Sequence, residues 1–126
     1  MKVLQIIETA YRATIEEQDD TIVWLTHAMK GAGGDLSVLL RGNAVNYAVP
    51  GQNAEGLSFG TWEQTQPPRI ADDIAGLIGK GVEILAVQED LTERGLGETQ
   101  LIDGVETISR PGLAKLLDRH DQVWHW

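Results

Sequence analysis

The chain has no cysteine. That absence excludes disulfides, thiolate metal sites and any thiol nucleophile. Long apolar runs are missing too, and none approaches the roughly 18 residues that a membrane span requires. Nor is there a run of Lys or Arg: the 126 residues carry 10 basic and 19 acidic side chains, a net charge of −9. So acidic a surface repels phosphate backbones. Neither nucleic acid nor a membrane is therefore expected as a partner. The opening stretch, Met1 to Glu8, has too short an apolar core for a signal peptide and runs into Glu8 rather than a small-residue cleavage site. It reads as a first strand of a cytoplasmic protein.

Familiar enzyme signatures are absent as well. Gly31-Ala32-Gly33-Gly34 follows a helical pattern and precedes a strand, the reverse of a dinucleotide fingerprint. No serine sits in a Gly-x-Ser-x-Gly elbow, and His27, His120 and His125 have no zinc-ligand spacing. No cofactor, no metal and no catalytic residue is expected on these grounds.

What is present is the composition of a globular domain, with 42% hydrophobic and 23% charged residues. One domain spanning 1–126 is expected, since a core of that size suffices for independent folding. Val3 to Ile7, Leu36 to Leu40 and Val82 to Val87 are short runs rich in Val, Ile and Leu, apolar on both faces. Such runs suit parallel strands covered by helices on each side. Val105 to Ile108 and Gln122 to Trp126 are weaker strand candidates.

Between them lie helical patterns. Ile15, Ile22, Leu25, Thr26 and Met29 share one face, Thr14-Ile15-Glu16-Glu17 fits a capping box, and Glu16, Glu17, Asp19 and Asp20 occupy the first turns. Pro67-Pro68 opens a second helix with Ile70, Ile74, Leu77 and Ile78 inward, and Asp90 to Gly95 suits a short third. Pro111 starts the last helix, with Leu113, Leu116 and Leu117 on its apolar face. Right-handed crossovers make this order an α/β fold, a three-layer α/β/α sandwich with a five-stranded, mostly parallel sheet.

Gly42 to Gln66 fits no regular pattern, and Tyr47, Phe59 and Trp62 are interleaved with its Gly, Asn and Pro residues. Two readings stand: a short helix at Ala44 to Val49 with a loop covering a sheet edge, or a functional or interface loop. At the other end, alternation puts Val123 and His125 on one side and Trp124 and Trp126 on the other. The tryptophans pack against the last helix or against a second subunit.

Residues Gly81 to Leu96 end their strand-turn-helix in Arg94-Gly95, and this segment resembles the strand-loop-helix of DsrE/DsrF/TusD-like proteins. The Lys2 to Glu8 strand, the Gly33-Gly34-Asp35 turn and the Asp121-Gln122-Val123 end resemble that family too, so the likeness spans the chain. The resemblance implies subunits of sulfur-relay complexes or homo-oligomers, commonly trimers or hexamers, and possible DsrE-family partner subunits. Counting back from Gly95, the family's cysteine positions fall on Val87 and Asp90. Persulfide relay needs a thiolate to attack one sulfane and leave from the next. Neither residue supplies one, so the relay role does not carry over.

Ligands of open parallel sheets bind at the carboxyl ends of the strands. Here those ends offer Glu8, Thr9, Tyr11 and Arg12, then Arg41 and Asn43, then Glu89 and Asp90, with Arg94 beyond. One reading is a polar crevice for a small anion or metabolite, with Arg12 or Arg41 as an anion clamp. The other is that Arg41 pairs with Glu8 or Glu89 and simply holds the loops. Glu89-Asp90 suits a helix cap or first turn better than a hard-metal site. The function expected is therefore a DsrE-like accessory or small-ligand-binding protein without persulfide chemistry. The alternative is an enzyme that uses the Arg/Glu/Asp crevice.

Overall fold

The computed structural model describes residues 1–12, 14, 19–52 and 54–126. Five strands form one sheet: β1 (Lys2–Ile7), β2 (Asp35–Leu40), β5 (Glu83–Val87), β6 (Glu106–Ile108) and β7 (Gln122–His125). Their order is β6-β5-β2-β1-β7, and every pairing is parallel. The three runs that read as apolar on both faces are the three central strands, as two-sided burial requires. Val3, Leu4, Ile6 and Ile7 of β1 and Leu36, Val38, Leu39 and Leu40 of β2 are all buried.

One face of the sheet carries Ile7, Val38, Leu40, Ile84 and Ala86. It is covered by α1 (Thr21–Gly31), α2 (Ile70–Gly79) and a 3-10 segment, Gly42–Ala48. The other face carries Leu4, Ile6, Leu39, Leu85 and Val87 and meets Leu116 of α4 (Leu113–Asp118). A six-residue helix, α3 (Gln88–Glu93), follows β5 directly.

Several sequence expectations shift. Helix α1 starts at Thr21, with no acidic residue in its first turn. Asp20 is its N-cap and accepts hydrogen bonds from Ile22 N and Val23 N at 2.8 and 3.0 Å. The inward residues of α1 are Ile22, Val23 and Thr26. Ile15, Glu16 and Glu17 of the expected capping box lie outside the described residues. Leu117 is exposed, because α4 is too short to turn more than Leu116 fully into the sheet.

The irregular region resolves into the 3-10 segment and a small antiparallel pair, β3 (Ser58–Phe59) and β4 (Trp62–Glu63). Tyr47 is not part of an exposed aromatic surface. It is 2% exposed, whereas Phe59 and Trp62 are 63% and 47% exposed and pack on each other with ring centroids 5.8 Å apart.

The end of the chain is docked, but not on the last helix. Register pairs Leu4 with Val123 and Gln5 with Trp124, so the tryptophans lie on the α1 side and α4 is on the opposite face. Trp126 Nε1 donates to Gln5 Oε1 at 2.7 Å, and Gln5 Nε2 reaches Thr26 Oγ1 at 3.3 Å. Gln5 is fully buried, and a buried amide is tolerated only when so satisfied. Replacing Gln5→Ala therefore removes both bonds and opens a void. A loss of about 2–4 kcal/mol is expected in denaturant unfolding.

Candidate functional site

Parallel strands deliver all their carboxyl ends to one side of the sheet, so the loops after β1, β2, β5, β6 and β7 meet there. The charged residues at these ends form two clusters, and a cavity lies beside them.

The first cluster centres on Asp90, which is 6% exposed. It sits in the first turn of α3, and the N-cap position itself is Val87, whose side chain makes no capping bond. Its carboxylate does not cap its own helix. Oδ2 accepts from Gly42 N at 2.8 Å, and Oδ1 accepts from Arg110 Nη2 at 2.6 Å. Asp90 thus ties the ends of β2 and β5 to the segment after β6. Gly42 has φ +56°, and a Cβ there would meet Glu8 Cγ at 3.0 Å, so glycine lets the backbone present this N–H.

Arg110 Nη2 also donates to Glu93 Oε1 at 2.9 Å, and Arg110 N donates to Glu89 Oε2 at 2.8 Å. Arg94 Nε donates to Asn43 Oδ1 at 3.0 Å and its Nη1 to Asp90 O at 3.1 Å. Burial alone raises the Asp90 carboxyl, but the Gly42 N–H and Arg110 outweigh it and hold it below its ordinary value of 3.8.

The second cluster joins β1, β2 and β7. Glu8 Oε2 lies 2.6 Å from His125 Nε2, and Glu8 Oε1 lies 3.8 Å from Arg41 Nε. Thr9 contributes its backbone N–H, which donates to Trp126 O at 3.2 Å. Arg12 makes none of the contacts of either cluster among the described residues.

Between the loops after β1 and β2 stands a buried relay. Tyr47 Oη donates to Asp20 Oδ2 at 2.6 Å and accepts from Tyr11 N–H. Tyr11 is the one non-glycine residue with positive φ (59°) among those described, and its ring meets Tyr47 edge-on at 5.3 Å. Burial first, then the bond to Asp20, push the Tyr47 hydroxyl well above its ordinary value of 10.0, so it stays a donor. Beside the two rings opens a cavity of about 150 Å³ that also reaches Asn46, Gln52, Ile70 and Ala71.

The expected crevice is thus divided. Asn43, Glu89, Asp90 and Arg94 come together, Arg41 goes with Glu8, and Tyr11 turns to Tyr47. Sequence reasoning missed Arg110, although Ser109-Arg110-Pro111 ends β6 as Arg41-Gly42 ends β2. Asp20 and Tyr47 were missed too. An Asp directly before an amphipathic run is a cap signal, but nothing local pairs it with a tyrosine 27 positions on.

No family model and no curated protein matches the chain. Its architecture belongs to the class of DsrE-like α/β folds. Two solved structures share it. The ychN protein from E. coli superposes with a TM-score of 0.74 at 21% identity, covering 99% of this chain and 97% of that one. A conserved protein of unknown function from Bacteroides thetaiotaomicron gives 0.67 at 15% identity, covering 99% and 94%. The likeness is one of fold.

Two outcomes follow from this geometry. Tyr47→Phe leaves buried Asp20 short of one donor and the Tyr11 N–H without its acceptor, so unfolding free energy should fall by about 1–3 kcal/mol. Asp90→Asn should cost a similar 1–3 kcal/mol or so at pH 7, through its weakened bonds to Gly42 and Arg110. A depressed carboxyl contributes stability that is present above 3.8 and lost as pH falls through its lower folded value. The gap between wild type and Asp90→Asn, followed by thermal melts, should therefore narrow as pH drops below 3.8.

Proposed function

We propose that this chain is a DsrE-like accessory protein that assembles into a homo-oligomer of three or six copies and binds a small molecule without covalent catalysis. Its link to sulfur metabolism is as a non-relaying partner of cysteine-bearing relatives. The observation that carries this reading is Asp90. At the position where the family resemblance implies a thiol stands a carboxylate engaged by the Gly42 N–H and Arg110. An acid–base catalyst needs a carboxyl tuned towards the working pH, away from a plain arginine partner. Asp90 is held the opposite way, which supports binding over the enzyme reading.

Assembly is supported by surface chemistry. Phe59, Trp62, Leu117 and Val123 are large apolar side chains left in solvent by a single copy. Native mass spectrometry of protein purified from its source tests both halves of the proposal. A species of three or six times 13.8 kDa retaining a small molecule is expected. A clean 13.8 kDa ion, bare and stable at micromolar concentration, refutes it.

A further inference from the structure

The cavity beside Tyr11 and Tyr47 differs in chemistry from the two charged clusters. Its lining includes Tyr11, Tyr47, Asn46, Gln52, Ile70 and Ala71, and among the described residues no charged side chain contributes to it. In a chain with 29 Lys, Arg, Asp and Glu residues, that is a specific property of the place. An ion entering it would lose hydration with no countercharge to replace it. The described lining therefore favours a neutral occupant.

Size and shape narrow it further. A volume of about 150 Å³ is the scale at which a cavity of apolar side chains admits a single ring of benzene size. Tyr47 and Ile70 are buried and form the inner part, while Tyr11 and Gln52 are exposed at the mouth. The two tyrosine rings stand edge to face at 75°, so a flat guest has an aromatic face to lie against.

The polar groups at the mouth set the guest's hydrogen bonding. Gln52 Nε2 donates to Asn46 O at 2.6 Å and to Val49 O at 3.1 Å, which engages both amide hydrogens. Asn46 Nδ2 donates to Asn43 O at 2.8 Å. Gln52 therefore offers its carbonyl oxygen as an acceptor, and Asn46 keeps its carbonyl oxygen beside one remaining N–H. The Tyr47 hydroxyl is held by Asp20 and the Tyr11 N–H. That same bond keeps Tyr11 at a φ of 59°, a conformation that costs energy in a bulky residue and clusters at ligand-binding positions.

We infer that this cavity binds an uncharged, planar, single-ring heterocycle whose N–H groups donate to Gln52 and Asn46. The inference rests on the small-molecule-binding reading above and names the class of its ligand.

Uracil, neutral and flat with two N–H donors, is the probe; toluene lacks the donors and benzoate carries a charge. Saturation-transfer and amide-shift titrations on the assembled protein should show uracil binding, toluene binding more weakly and benzoate not binding. Ala71→Leu projects from α2 into the cavity and should weaken uracil about tenfold or more. Gln52→Met removes the acceptor at the exposed mouth and should weaken uracil while sparing toluene. Benzoate binding as tightly as uracil, or uracil affinity unchanged in both variants, overturns the inference. A three- or six-copy assembly that ignores uracil sinks the cavity assignment and leaves the accessory reading standing, whereas a bare monomer removes that reading itself.

Discussion

A parallel sheet buried on both faces constrains everything else in this molecule. β1, β2 and β5 have almost no solvent-facing side chains along their lengths, so polar chemistry is pushed to the strand ends. The exceptions inside the core are few among the described residues, and three of them join distant elements. Gln5 bridges Trp126 and Thr26, Asp20 accepts from two helix N–H groups and Tyr47, and Asp90 accepts from Gly42 and Arg110. A buried polar group without such partners costs about 1–3 kcal/mol, which is why these three connect elements far apart in sequence. They work as ties between loops and strands that the apolar core alone would leave loosely placed.

The ties also decide what the site can do. Arginines at the strand ends suggest an anion site in isolation, but Arg110 and Arg94 are engaged by Asp90, Glu93 and Asn43, and Arg41 sits against Glu8. Each of these arginines thus faces a carboxylate or an amide of its own cluster. One open space lies where two tyrosines and two amides meet, with no charged side chain in its lining among the described residues. The polar positions at the strand ends serve in this way to hold loops together. The α3 segment carries one such position, the Asp90 carboxylate braced by Arg110.

The elements differ in how far they could be read in advance. The three central strands were legible because residues apolar on both faces suit only a strand covered from both sides. The start of α2 after Pro67-Pro68 and its inward Ile70, Ile74 and Leu77 followed from helical period. The start of α1 was misjudged because Glu16, Glu17, Asp19 and Asp20 all suit a first turn, and propensity does not choose among them. What singles out Asp20 is Tyr47, which arrives from the other side of β2. Leu117 was misread since period alone does not reveal how much of a short helix the sheet can cover. The tryptophans' shared face followed from alternation, but their partner depended on which edge β7 joins.

The sequence by itself determined the class of fold, the covered parallel strands and the lack of any thiol. These rest on local pattern and on a missing element, and no packing can reverse them. Only the tertiary structure decided which polar residues meet: Asp90 with Arg110, Tyr11 with Tyr47, Trp126 with Gln5. Such pairs are separated by 20 to 121 positions, and their geometry is set by strand order and crossover path. A single sequence encodes those only through the whole fold.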